Sequence, residues 1–247
     1  MKKLLIAASF TALAATGAQA ADIAAKAYTK APPPVTVMNW TGFFIGIEGG
    51  YGWGRDTIAF PFLGTTTGQF STNGGVAGGA IGYNWQPVGS SWLFGIEGNF
   101  DWANIKGSAT CPGLIFTCKA NIDQIYSGAG RIGYTWNSMM IYGKGGFAWT
   151  KDHYGSTVNA TGAVFDSASG GQSGYILGAG VEYMFARSWS AKLEYDYYNF
   201  GNKTSTTFTP AGLVSGDVNI NLSPTINVVK AGVNYHFNWG DPVVAKY

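Results

Sequence analysis

Residues 189–200 read Trp189-Ser190-Ala191-Lys192-Leu193-Glu194-Tyr195-Asp196-Tyr197-Tyr198-Asn199-Phe200. Trp189, Ala191, Leu193, Tyr195 and Tyr197 fall on one side of an alternation, and Ser190, Lys192, Glu194, Asp196 and Tyr198 on the other. A period of two is that of a β-strand, whose successive side chains leave on opposite faces; a helix would scatter both sets. The apolar face of such a strand meets either a protein core or lipid, and its charged face either water or a barrel lumen. The rest of the chain decides between these.

The same alternation returns seven more times. It runs over about 40–53, 75–85, 91–104, 121–135, 139–150, 173–185 and 225–237. Glu48, Glu97, Asp101, Arg131, Lys144, Glu182 and Lys230 share the small or polar face of their strands, as Lys192, Glu194 and Asp196 do in the seventh. Short connections (86–90, 136–138, 186–188) alternate with long polar stretches rich in Gly, Ser and Thr (54–74, 105–120, 151–172, 201–224). Strict alternation of short and long is the pattern of an up-and-down barrel with all tight turns at one membrane face. A Greek-key sandwich seldom keeps that order.

Composition agrees. Aromatics make up 15% and charged residues 11%, where charge is usually about 25%. Few charges and many aromatics suit an apolar exterior. Trp40, Trp85, Trp92, Trp136 and Trp189 sit at the short-turn ends of strands, and Trp53, Trp102 and Trp149 at the long-loop ends. Indoles concentrate at the two headgroup levels of a membrane, and about ten residues between belts suit a tilted strand crossing the hydrocarbon. The expected fold is therefore all-β, an eight-stranded antiparallel up-and-down transmembrane β-barrel over 40–237.

The N-terminus indicates export. Lys2 and Lys3 precede an apolar run from Leu4 to Ala15, and Ala18-Gln19-Ala20 offers small residues for signal-peptide cleavage. The run is shorter than the roughly 20 residues a spanning helix needs. Residues 1–20 are expected to be a signal peptide, 21–39 a Pro-rich periplasmic linker and 238–247 a C-terminal tail. Without Lys2 and Lys3 the 15 basic residues fall to the number of acidic ones, 13, so no basic stripe points to nucleic acid.

In order along the chain, Gly82-Tyr83-Asn84-Trp85-Gln86, Gly95-Ile96-Glu97-Gly98, Gly130-Arg131-Ile132-Gly133-Tyr134, Tyr142-Gly143-Lys144-Gly145-Gly146-Phe147-Ala148, Gly178-Ala179-Gly180-Val181-Glu182-Tyr183 and Leu193-Glu194-Tyr195-Asp196-Tyr197 resemble the small outer-membrane barrels of Gram-negative alphaproteobacteria. Those proteins are often labelled "porin family" and are related in architecture to opacity and OmpA-type barrels. The resemblance implies a cell-outer-membrane location, handling by the barrel-assembly machinery, and relatives that act as surface antigens or bind haemin. Tyr235 and Phe237 would form the terminal strand that the machinery reads, although ten residues follow Phe237 here.

Candidate chemistry is sparse. Gly128-Ala129-Gly130-Arg131-Ile132-Gly133 matches a dinucleotide fingerprint, but that motif needs a helix after it, and here a strand continues. The two histidines, His153 and His236, form no metal-ligand spacing. His153 with Ser156 could suggest a hydrolase and His153-Tyr154 a haem ligand pair, yet a solvated loop accounts for both. No catalytic residue, metal or cofactor is expected. Cys111 and Cys118 are expected to form a disulfide, because the exported context favours pairing.

Eight strands leave an interior that side chains fill, whereas a wide aqueous pore takes about 16. The ten inward charges are expected to pair there and close the lumen. The expected role is structural and interactive: contact with outer-membrane lipid, lipopolysaccharide or external ligands at the loops. A narrow-pore transporter of small solutes or ions is the alternative, and a haemin-binding surface protein another.

Overall fold

The alternating segments pair into one closed sheet. A computed structural model describes residues 39–60, 64–111, 115–201, 203–208, 218–222 and 224–237. The expected signal peptide, nearly all of the linker, the tail and Pro112-Gly113, a pair whose sequence suggests a turn between the two cysteines, lie outside the described residues. The strands are β1 (Gly42–Phe60), β2 (Thr65–Trp85), β3 (Trp92–Thr110), β4 (Phe116–Trp136), β5 (Met139–Val158), β6 (Val164–Ala186), β7 (Trp189–Asn199), β8 (Lys203–Phe208), β9 (Val218–Leu222) and β10 (Thr225–Phe237). β1 to β7 pair antiparallel in sequence order, and β10 pairs with β7 on one side and β1 on the other. Phe43 lies opposite Phe237 at that seam, so eight strands make the ring. β8 and β9 form a short hairpin that touches β1 at Ile58 and Ala59.

Burial inverts the rule for a water-soluble protein. Leu193, Ile47, Ile96 and Phe147 are exposed, whereas Lys230, Glu194 and Asp196 have at most 1% exposure. Lipid is the solvent that makes this arrangement favourable. Leu193 sits mid-strand on the outer face. Its replacement by Arg is expected to cost about 2 to 4 kcal/mol in urea unfolding from lipid vesicles. A cost near zero would mean that the outer face is not in lipid.

The strands are longer than the alternation suggests. β1 to β6 run 19 to 23 residues, about twice what a membrane crossing needs. Much of 54–74, 105–120 and 151–172, read from sequence as loop, is therefore strand extending past the long-loop end. The extension has its own interior: Ile58, Phe70, Cys111, Cys118, Ala120 and Tyr154 are buried together. Gly, Ser and Thr on the outer face of these segments diluted the apolar period and hid it. The Cys111–Cys118 disulfide lies inside this cluster, with Cα atoms 5.2 Å apart.

Two irregularities change faces. Bulges between Trp102 and Ile105 in β3 and between Ile122 and Gln124 in β4 each offset the register. The sequence alternation puts Ile122 outside in step with Tyr126, Ile132 and Tyr134, and Asp123 inside in step with Ser127 and Arg131, but Ile122 is buried in the lumen and Asp123 reaches His153 on the outer face. A bulge inserts one unpaired residue, which a strict period of two cannot anticipate.

Trp40 is a further correction. Seven of the eight girdle tryptophans are 42% to 60% exposed, but Trp40 has 0% exposure. It turns under the short-turn mouth of the barrel and packs with Leu93, Met140, Tyr142 and Met184, edge-on to His236 at 5.5 Å between ring centroids. Gln86 holds it there: its Oε1 accepts from Trp40 N at 3.0 Å, and its N–H donates to Thr41 Oγ1 at 3.0 Å. Trp40 precedes β1, so strand alternation does not govern its direction.

Candidate functional site: the ion-paired lumen

Between the Trp40 cap and an apolar layer that includes Ile105, Ile125, Ile176 and Tyr198, the structure brings together all ten charged residues singled out from the sequence. The side chains of the ten are at most 3% exposed in their ion pairs.

Arg131, on β4, occupies the short-turn side of this layer. Its Nη1 donates to Glu97 Oε2 at 2.8 Å, its Nη2 reaches Glu182 Oε2 at 3.5 Å and its Nε donates to Asn84 Oδ1 at 2.9 Å. The guanidinium lies between the rings of Phe44 and Tyr142, 4.6 and 4.9 Å from their centroids. A planar fork can hold two carboxylates and stack on two rings, which an ammonium cannot do. Lys144 bridges Glu97, Glu194 and Asp196 at 3.2, 2.7 and 3.2 Å. Lys192 pairs with Glu48 at 2.6 Å. Lys230 meets Glu48, Asp101, Asp196 and Glu194 at 2.7, 3.2, 3.1 and 3.6 Å.

Glycine makes the room. A Cβ on Gly78 would meet Asp101 Oδ1 at 2.4 Å, and one on Gly178 would meet Asp196 Oδ1 at 2.3 Å. Six carboxylates and four cations thus fill one layer, and the residual charge is negative.

Several partners escaped the sequence reading. Tyr142 donates to Glu194 Oε2 at 2.6 Å, and Asn234 donates to Glu182 Oε1 at 2.7 Å. Each shares strand parity with a charged residue two or four positions away, a signal available in the sequence. His236 Nε2 lies 2.8 Å from Ser190 Oγ and 3.1 Å from Glu182 Oε1, and Ser190 Oγ donates to the same Glu182 oxygen at 2.5 Å. These are the residue types of a hydrolytic triad, but serine and carboxylate crowd one imidazole nitrogen. A triad needs the acid on one ring nitrogen and the serine on the other. The His153 pairings considered from sequence do not form either. His153 is exposed on the outer face, whereas Tyr154 and Ser156 are buried on the inner one.

Asp152 lies further out, three residues beyond Trp149 on β5, and is fully buried. Burial is the main cause that pushes its carboxyl up from 3.8 to about 7; a hydrogen bond from Thr150 opposes this, and the Asp56 and Asp123 carboxylates add to it. A raised folded-state value means that this group's stabilising contribution is complete below its unfolded value near 4 and is lost as pH rises through about 7. Asp152→Asn is expected to flatten that loss and to stabilise the extension by ~1 to 3 kcal/mol at pH 8, read by hydrogen exchange. An unchanged pH profile would remove Asp152 as its source.

With this geometry in place, comparison with known proteins identifies the family. A family model described as "Outer membrane protein beta-barrel domain" matches residues 5–237. The chain belongs to that family. The 31 kDa outer-membrane immunogenic protein of Brucella melitensis biotype 1 is 32% identical over 252 residues, covering 95% of this chain and all of that protein. The 25 kDa outer-membrane immunogenic protein of Brucella ovis is 29% identical, covering 78% of this chain and 89% of the relative. Among solved structures, the outer membrane protein OprG from Pseudomonas aeruginosa superposes with a TM-score of 0.51 at 13% identity, over 81% of this chain and 99% of that one. That likeness concerns the fold. The chain is an outer-membrane β-barrel protein of the cell outer membrane, and its relatives are named as outer-membrane immunogenic proteins.

Proposed function

We propose that this outer-membrane barrel is closed along its lumen and acts through its outer surface, in contact with lipopolysaccharide or external ligands, rather than by conducting solutes or by catalysis. The observation that carries this is the charged layer: Arg131, Lys144 and Lys230 are each within 4 Å of carboxylates from two or three other strands and Lys192 of Glu48 on β1, with their side chains removed from solvent. Opening a water path would separate these pairs, at a cost of several kcal/mol for each charge left unpaired. The Trp40 cap and the apolar layer stand on either side. Crowding of Ser190 and Glu182 on one nitrogen of His236 argues against hydrolysis. Opposite facing of His153 and Tyr154 argues against shared ligation of haem iron.

The long-loop end, with its extended strands, would face the exterior, as it does in barrels of this kind. Tyr235 and Phe237 on β10 are the residues the barrel-assembly machinery would read. Vesicles carrying the refolded protein are expected to admit small sugars and amino acids no faster than protein-free vesicles. Swelling at a rate set by solute size would favour the narrow-pore transporter.

A further inference from the structure

The strand extension past the outer girdle holds a polar layer of its own. Asp56 on β1, Thr72 on β2, Thr150 and Asp152 on β5 and Gln172 on β6 are all buried there. Asp56, Thr72 and Asp152 each lie two residues from a member of the upper apolar cluster, namely Ile58, Phe70 and Tyr154. Thr150 and Gln172 stand opposite each other on the β5–β6 ladder, two residues from Ala148 and four from Ile176 of the apolar layer below. Apolar side chains therefore bracket the polar layer on both sides.

Two oxygens in this layer lack a donor. Thr150 Oγ1 donates to Asp152 Oδ2 at 2.8 Å, and Asp152 Oδ1 is left with no hydrogen-bond partner among the described residues. Gln172 Nε2 donates to the Tyr154 hydroxyl at 3.1 Å, and Gln172 Oε1 is left in the same state. Each group is tied at one end and bare at the other. The groups that act most on the Asp152 carboxyl are Thr150, Gln172, Asp56 and Asp123, and none of them is a cation. Burying a carboxylate oxygen and an amide oxygen without a donor is costly. Water can donate to both, but it leaves the charge of Asp152 uncompensated between two apolar layers.

We infer that this layer binds one hard divalent cation, with calcium the best fit, through Asp152 Oδ1 and Gln172 Oε1 and with the Asp56 carboxylate supplying a second negative charge. Every donor there is an oxygen, a set that suits calcium, magnesium or manganese rather than zinc or copper. Calcium accepts irregular shells of about six to eight oxygens, water included, whereas magnesium demands a near-ideal octahedron and sheds water reluctantly. Thr150 and Tyr154 hold the far ends of the two ligands and so aim the free oxygens, as outer partners do in metal sites. No three His, Cys, Asp or Glu side chains converge among the described residues. The site is therefore a weak one, with a dissociation constant of about 0.1 to 1 mM, as in extracellular calcium modules. Entry parts no ladder: among the described residues β6 beyond Tyr175 pairs with β5 alone, and β8 with β9 alone.

The test uses the full refolded protein in detergent, free of lipopolysaccharide and treated with chelator, with titration calorimetry and hydrogen exchange as readouts. Calcium is expected to bind one to one. At about ten times its dissociation constant it should slow exchange in the outer halves of β5 and β6 about tenfold. Magnesium should bind at least tenfold more weakly. Asp152→Asn and Gln172→Met should each lower calcium affinity tenfold or more, whereas Asp123→Asn, which neutralises the acid on the outer face, should leave it unchanged. A shift on boiling in gels shows that each variant is folded. Neither heat nor protection from calcium in the wild type would mean that water alone satisfies the two oxygens, and would overturn the site. Equal binding of magnesium, or undiminished binding by both Asp152→Asn and Gln172→Met, would overturn it as well.

Discussion

Replacing Arg131 with Ala is expected to lower stability by about 3 to 5 kcal/mol, the range for removing one partner of a buried ion pair. Glu97 and Glu182 would each lose their contact with the guanidinium, and Asn84 Oδ1 would lose its donor. Glu97 keeps Lys144, and Glu182 keeps Asn234, Ser190 and His236. The loss should therefore fall more on packing and charge balance than on complete isolation of either carboxylate. The gap between Phe44 and Tyr142 would be wide enough for water, and the layer would become more negative. Small cations should enter more readily than anions. Urea unfolding in lipid vesicles measures the stability, and an unchanged midpoint would show that Arg131 is not a central tie. Arg131→Lys should recover only part of the loss, because an ammonium cannot span both carboxylates and both rings.

Lys230→Met is expected to have an effect of similar size for a different reason. Methionine nearly keeps the volume of the side chain, so electrostatics carries the change. Lys230 reaches four carboxylates from three other strands, and it is the cation closest to Asp101. Removing it leaves Asp101 without an ion-pair partner among the described residues, while Glu48 retains Lys192 and Asp196 retains Lys144. A loss of about 3 to 5 kcal/mol is expected at neutral pH. Asp101→Asn added to Lys230→Met should restore part of it, since the stranded charge is then gone. No recovery in the double variant would mean that packing of the lysine stem matters more than its charge.

How much of this was legible in sequence follows from what a period of two encodes. Glu194, Lys192 and Asp196 could be placed inside because their neighbours Leu193, Tyr195 and Trp189 are apolar and alternate with them without a break. The same contrast located Arg131 between Ile132 and Gly130. It failed where contrast was weak. The extended parts of β1 to β6 carry Gly, Ser and Thr outward, so only the sparse inward Ile58, Phe70 and Tyr154 mark the strand. It failed again at Ile122 and Asp123, where a bulge resets parity. Trp40 precedes β1, and its place at the short-turn end of the first alternating segment set it with the other tryptophans. The meeting of Ser190 with His236, 46 residues apart in sequence, depends on the register at the seam where β7 pairs with β10. Which residues stand level across that seam is a matter of stagger, which the alternation within one strand does not report.

Closure of the lumen by paired charges is the centre of this account, and planar-bilayer recording of the wild type beside Arg131→Ala tests it most directly. The wild type should be electrically silent, and the variant should show small, cation-selective openings. A large, steady conductance from the wild type would contradict the closed lumen.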